Sequence, residues 1–465
     1  GYTMKSKSYF LLLSLISYFL FIPTPSLAED EHNYSILLKK GTDFNNIKNE
    51  LQQGGFEITY EIPEINLIQV LGTDLESKNL NHIKGIVKFS ESVNTSNPKS
   101  KNVSSSFSKQ NEVSADLWEY QWDMQSITNN GASYNVFQGS TNVTVGIIDS
   151  GIFPYHPDLK NSLLPGSKNL VPKGGLKGRE SSETGDINKI DDLLGHGTSV
   201  AGQIAANGLM KGVAPGVGIK VYRVFGSTSA ETIWVIKAII EAANDDVDVI
   251  NLSLGDYLLK SGSYSHTGRN DSVEIEAYKQ AINYAYKKGS IVVAAAGNDG
   301  IDVNDQAKFH EVVNANLKTS NTTVSGIILD MPGALTNVVT VSSIGPTGEF
   351  SLFSNHGKDF IDIISPGGDF RLLEQYGEDM WINDHLIEQE QILTTNINGG
   401  YYYDSGTSLA AAKVSGALAL IVEKNKWKDQ PHRAINHLYK YSTVNNPLTP
   451  RQKNLDIYKA LFPHS

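Results

Sequence analysis

Apolar positions recur along the chain with two different rhythms, one on each side of a polar stretch. Up to residue 90 the apolar runs are short. Residues 34–38 alternate as a strand, and 44–51 have helical spacing that stops at Gly54-Gly55. Residues 56–62 and 67–71 read as strands, 80–83 as part of a second helix and 86–89 as a last strand. This β-α-β-β-α-β order predicts a small α+β unit of the split βαβ type. Residues 91–114 are rich in Ser, Asn and Lys with few apolar side chains, the pattern of a linker. Beyond it the runs lengthen. Residues 143–148, 219–225, 247–254, 291–296 and 338–343 read as strands, and 198–206, 231–243, 273–288 and 408–424 as helices. Strands this apolar, alternating with helices, predict a mostly parallel sheet covered on both faces. Sites in such sheets form at the carboxyl ends of the strands.

The 465 residues carry a net charge of −11, with 40% hydrophobic and 19% charged residues. That suits a globular protein and disfavours nucleic-acid binding, which calls for a basic face. The chain has no cysteine, so disulfides, thiolate metal sites and cysteine nucleophiles are excluded. Residues 1–3 precede Met4 and are read as an expression remnant. Residues 4–28 have the pattern of a secretory signal: Lys5 and Lys7, an apolar stretch over 9–22, and Ser26-Leu27-Ala28 before the expected cut ahead of Glu29. An uncleaved anchor is the alternative, but the apolar run is short and Pro23 and Pro25 interrupt it. The expectation is a secreted, extracellular protein with no membrane anchor in its mature form.

Four positions carry candidate chemistry. Ser408 opens an apolar helix, where unpaired N–H groups and the positive end of the dipole can stabilise an oxyanion. Taken alone it reads first as an N-cap serine. Asp149 ends a strand and leads into Ser150-Gly151; alone it reads as a turn former. His196 sits between Gly195 and Gly197 at a helix start, and alone reads as a loop histidine. Asn298 follows a strand within Ala296-Gly297-Asn298-Asp299, either as a turn residue or as a side-chain donor to an anion.

Asp149-Ser150-Gly151, Gly195-His196-Gly197-Thr198, Ala296-Gly297-Asn298 and Gly406-Thr407-Ser408-Leu409-Ala410 together resemble, in this order, the motifs of the subtilisin-like serine proteases. Tyr155-His156-Pro157-Asp158-Leu159, Gly212-Val213-Ala214-Pro215, Asn251-Leu252-Ser253-Leu254-Gly255 and Ser365-Pro366-Gly367 are also similar to family signatures. The resemblance implies a subtilisin-like three-layer α/β fold over residues 115–465. It implies that Ser408 attacks the scissile carbonyl, His196 carries the proton, and Asp149 orients the histidine. Asn298 and the Ser408 N–H would hold the oxyanion. Ser253, Leu254 and Gly255 would form an edge strand for extended substrate, with Asp256 and Asp299 lining the pocket for the side chain before the cut. Carboxylates there favour arginine or lysine, arginine more so. Residues 29–90 would be an inhibitory propeptide and 91–114 a self-cleaved linker. No cofactor is required for the chemistry. The expected partners of a monomer are its own propeptide and a peptide or protein substrate, with no nucleic acid.

There are departures from the family pattern. Ala412 and Lys413 replace the usual Pro and His, and Ser199 stands where many relatives have a second histidine. The stretch 207–211 is shorter than the calcium loop of many subtilisins. Asp158, which matches a calcium ligand there, is either a ligand of structural calcium or a turn residue. Added chain is expected at 161–190, 257–271, 301–329 and 370–390. Within the family, the serine helix is most similar to that of lantibiotic leader peptidases of the epidermin-processing type. That implies removal of the leader from a lantibiotic precursor after a basic residue. A broader secreted protease, and an inactive fold serving as a binding module, are the alternatives.

Overall fold

The computed structural model describes residues 29–98 and 116–462. The signal pattern, and the linker from residue 99 on, lie outside the described residues. In the amino-terminal unit, the strands Glu31–Leu38, Glu57–Ile62, Leu67–Thr73 and Ile86–Glu91 form one antiparallel sheet. Its spatial order is second, third, first, fourth, and the helix Phe44–Gln53 follows the first strand. Strand alternation decides what each face does. Tyr34, Ile36 and Leu38 point into the unit's own core with Leu51, Phe56 and Val70. Leu37 points the other way and joins Ile62, Ile65 and Leu67 in the core of the larger unit. Such burial contributes about 1.5–3 kcal/mol per side chain, which a small unit needs.

The larger unit is built on seven parallel strands, in the spatial order Ile363–Pro366, Val338–Ile344, Ile291–Ala295, Val249–Leu252, Thr144–Asp149, Gly218–Arg223, Lys168–Asn169. The five predicted strands are present, shifted by no more than a few residues at their ends. The chain reverses its direction of winding between Thr144–Asp149 and Val249–Leu252, so a crevice opens at their carboxyl ends. One face carries the histidine helix His196–Ala205 and the serine helix Thr407–Asn425. The other carries Thr232–Asn244 and Ser272–Lys287, against which the amino-terminal sheet packs.

Residues 407–422 of the serine helix are all buried, as an element apolar on every side must be. Small residues Ala410, Ala411, Ala412 and Gly416 let it pack closely on its neighbours. Lys413 is buried too; its Nζ lies 2.8 Å from Gln203 Oε1 on the histidine helix and 3.0 Å from Asp123 Oδ2. The departure from the family pattern at this position is therefore a paired buried charge tying the two helices together.

Two added segments fold as helices, Gln306–Leu317 and Arg371–Asn383. Ser253-Leu254-Gly255, expected as an edge for extended substrate, is in no ladder among the described residues and runs between the strands Val249–Leu252 and Asp256–Leu259. The edge that does pair is Ala230–Glu231, whose antiparallel partner is Asn94–Thr95 from the end of the amino-terminal unit. Among the described residues no helix is long and apolar enough to cross a membrane.

Candidate active site

Asp149 is the last residue of its strand, at the crevice. Its carboxylate accepts from the Ser150 N–H at 2.7 Å and faces His196 Nδ1, with Oδ1 at 2.8 Å and Oδ2 at 3.0 Å. Beside two carboxylate oxygens the ring proton belongs on Nδ1, which leaves Nε2 as an acceptor. Burial disfavours the charged ring, but the charge and hydrogen bond of Asp149, then Asp404 and Asp192, outweigh it. The histidine is held above its ordinary pKa of 6.5.

Asp192 organises the approach to His196. Oδ1 accepts from Ser150 Oγ (2.7 Å), Leu194 N (3.1 Å) and Gly195 N (2.8 Å). Oδ2 accepts from the Thr198 N–H (2.9 Å) and hydroxyl (2.7 Å). Gly197 is required by close approach: a Cβ there would lie 2.1 Å from Gly151 O. Sequence reasoning missed Asp192; its only local signal is an aspartate four residues before the histidine.

Ser408 lies in the first turn of its helix, where backbone N–H groups have no intrahelical acceptor. Its hydroxyl donates to Ser253 O at 3.2 Å, and Ser253 Oγ donates back to Ser408 O at 2.7 Å. Asn298 is fixed by the residue before the serine. Its Oδ1 accepts from both the Thr407 N–H and the Thr407 hydroxyl, each at 2.9 Å. A backbone N–H can only donate, so the carboxamide oxygen must face Thr407 and the NH₂ must point away from it. A Cβ on Gly406 would sit 3.6 Å from that Nδ2, which places the amide beside the loop that carries Ser408.

Next to Asn298 a set of carboxyls gathers. Asn355 accepts from Asp299 N (3.1 Å) and donates to Asp330 Oδ2 (3.1 Å), Ala296 O (3.1 Å) and Tyr257 Oη (2.8 Å). Tyr257 in turn donates to Asp299 Oδ2 at 2.5 Å. Burial pushes the Asp330 carboxyl well above the usual range; Asn355 opposes this, and Asp299 and Asp256 reinforce it. Among the described residues no lysine or arginine pairs with Asp256, Asp299 or Asp330. Asp330 was missed in the sequence, where it directly follows a segment read as added chain; a carboxylate ending the apolar run Ile327-Ile328-Leu329 was the available signal. Burial pushes the Asp256 carboxyl up to about 8, opposed by Thr95 and Ser96 of the amino-terminal unit beside it.

Asp158 does not fit a calcium site. Its carboxylate already accepts from Met210 N (3.0 Å), Leu209 N (3.3 Å) and the Tyr401 hydroxyl (2.9 Å). A cation at the same oxygens would face these donors, and among the described residues no three acidic or histidine side chains are placed to hold a metal ion together. The short stretch at 207–211 thus uses Asp158 as a loop anchor.

The subtilase family model matches residues 140–455. The chain belongs to the subtilase family. This subtilase is 42% identical to the epidermin leader peptide-processing serine protease of Staphylococcus epidermidis, over 97% of this chain and 98% of that protein. It is 44% identical to the nisin leader peptide-processing serine protease of Lactococcus lactis, over 75% of this chain but 49% of that one. The crystal structure of the Staphylococcus aureus epidermin leader peptide-processing protease superposes with a TM-score of 0.82, at 40% identity, covering 93% of this chain and 98% of that chain. The subtilase is a serine endopeptidase, and Asp149, His196 and Ser408 fit its Asp-His-Ser triad. Subtilases need no cofactor for this chemistry.

Proposed function

We propose that the protein is a secreted leader peptidase of lantibiotic precursors, made as a self-processed precursor and cutting after a basic residue. The similarity to proteins described as epidermin and nisin leader-processing proteases supports the substrate class. The observation that carries the basic preference is the unneutralised cluster Asp330, Asp299 and Asp256 beside Asn298. An incoming guanidinium would stabilise the ionised form of a buried carboxyl that has no cation of its own, through paired charge-assisted hydrogen bonds.

In this reading Ser408 Oγ leaves Ser253 O and attacks the scissile carbonyl while its proton passes to His196 Nε2. Asp149 holds the ring and stabilises the imidazolium. The Asn298 NH₂ and the Ser408 N–H take the oxyanion, and His196 then protonates the leaving amine. Residues 29–90 act as an intramolecular inhibitor. Asn94–Thr95 lies on the Ala230–Glu231 edge, and the Asn97 N–H donates to Ser229 Oγ at 3.2 Å. Both contacts are what an extended substrate would make on the near side of the cut.

Matched peptides with Arg, Lys, Leu or Phe before the scissile bond test the pocket, using wild type, Asp330→Asn and Asp256→Ser. Wild type should prefer Arg, and Asp330→Asn should lose roughly tenfold or more of that preference. Equal cleavage of Leu and Arg peptides by wild type sinks the reading.

A further inference from the structure

The segment 161–190, which the family resemblance leaves as added chain, ends in a bracket around the loop that precedes the substrate edge. Its base is rigid. Arg223, the last residue of its strand and fully buried, donates to both Glu183 oxygens at 2.7 Å. Three residues earlier, Glu180 reaches the next loop. Its Oε1 accepts from the Ser227 N–H (2.8 Å) and hydroxyl (2.8 Å) and from the Thr228 N–H (3.0 Å) and hydroxyl (3.1 Å). Its Oε2 accepts from Leu176 N at 2.8 Å. Burial alone would raise this carboxyl, yet these donors hold it below its ordinary range. Close approach is built in: a Cβ on Gly226 would lie 2.8 Å from Glu180 Oε1 and 2.9 Å from Glu183 Oε1. Ser229, Ala230 and Glu231, the residues that meet Asn97, Thr95 and Asn94, follow at once.

We propose that Glu180 is a positioning residue for catalysis: it clamps Ser227-Thr228 so that Ser229–Glu231 is preformed as the edge that pairs with substrate residues lying several positions before the cut. This rests on the reading that substrate replaces Asn94–Asn97 on that edge. Four of the five hydrogen bonds to this carboxylate fix two consecutive residues, so the ordering cost is met before substrate arrives. The clamp touches neither Ser408, His196 nor the carboxyl pocket, and its loss acts through binding of the extended chain.

The test uses enzyme produced from the full chain and two substrate lengths with the same residue before the cut, one reaching five residues upstream and one only a single residue. Glu180→Ala should raise KM for the long peptide roughly tenfold with kcat within about twofold, and leave kcat/KM for the short substrate within about twofold. Glu180→Gln keeps the oxygen that meets Ser227 and Thr228 and should recover most of the long-peptide KM; if the alanine variant does not fold, this variant decides, with a long-peptide KM raised roughly threefold against an unchanged short substrate. Equal losses on both substrates, or no loss on the long one, overturn the assignment to Glu180. A wild type that gains nothing from the upstream residues overturns the edge reading itself, and the proposal with it.

Discussion

If the amino-terminal unit is a released inhibitor, its grip should weaken as pH rises, because of one buried glutamate. Glu274, in the first turn of Ser272–Lys287, is fully buried under the amino-terminal sheet. Its Oε1 accepts from Ser35 Oγ at 2.5 Å. Burial, countered by Ser35 and Val93 and reinforced by Asp271 and Glu231, pushes it up to about 7 from an ordinary 4.5. No salt bridge reaches it among the described residues. Docked, the group stays protonated up to about 7; undocked and wet, it ionises above 4.5. Association therefore binds a proton. Below 4.5 both states are protonated and pH has no effect through this group. Between the two values each pH unit weakens docking by about 1.4 kcal/mol, roughly tenfold. Above about 7 the loss levels off, at roughly a hundredfold or somewhat more. Asp256, raised to about 8 under Thr95 and Ser96, extends the slope in the same direction. The assay is the inhibition constant of the released amino-terminal fragment, measured from pH 5 to pH 8.5. Glu274→Gln should flatten the lower part of the curve and leave the part carried by Asp256. An inhibition constant that is flat or falls as pH rises from 5 to 7, or an unchanged slope in Glu274→Gln, refutes the reasoning.

Ser408→Ala should abolish proteolysis with the fold intact, since loss of the nucleophile costs subtilisin about a million-fold in turnover; Asn298→Ala should cost roughly a hundred- to a thousand-fold because the Ser408 N–H remains. Steady-state rates on protein free of contaminating protease check both. Intact-mass measurement should find active enzyme cut within or near residues 91–114, with Lys99, Lys101 and Lys109 as the basic candidates, while Ser408→Ala stays whole. An active form that keeps Asn33 near its amino end contradicts this. Chelation should leave the melting temperature unchanged, whereas Asp158→Ala should lower stability by about 1–3 kcal/mol, because Leu209, Met210 and Tyr401 lose their acceptor; thermal unfolding with and without chelator decides.

What could be read from the sequence were features whose cause is local. Parallel strands buried on both faces announce themselves as unbroken apolar runs, so Thr144–Asp149 and Ile291–Ala295 were found almost to the residue. Asp149, His196, Asn298 and Ser408 stood at ends of such elements, where small residues marked tight turns. Features set by distant partners were not legible. Asp192, Asp330 and Glu180 are single carboxylates whose meaning lies in Ser150, Asn355 and Ser227, which are far from them in sequence or belong to other loops. Asp158 was a candidate because it matches a calcium ligand of the family; the donors around it come from Met210 and Tyr401, which the motif does not contain. Arg371–Asn383 was hidden by a break at Gly377, whose φ of 82° interrupts the helical pattern.

On the face that meets the amino-terminal unit, Glu231 accepts from Asn33 (2.5 Å) and Gln69 (3.0 Å), and Glu274 from Ser35. Every one of these donors is neutral. The amino-terminal segment thus holds this face through backbone pairing, hydrogen bonds from neutral donors and the burial of Leu37, Ile62, Ile65 and Leu67, with no cation of its own among these contacts. A substrate that places an arginine near Asp330 and Asp299 adds an interaction that Asn94–Asn97 does not make. If the protein cuts after arginine as proposed, the same acidic surface, whose hold on its own neutral segment weakens as pH rises, favours a basic chain in its place.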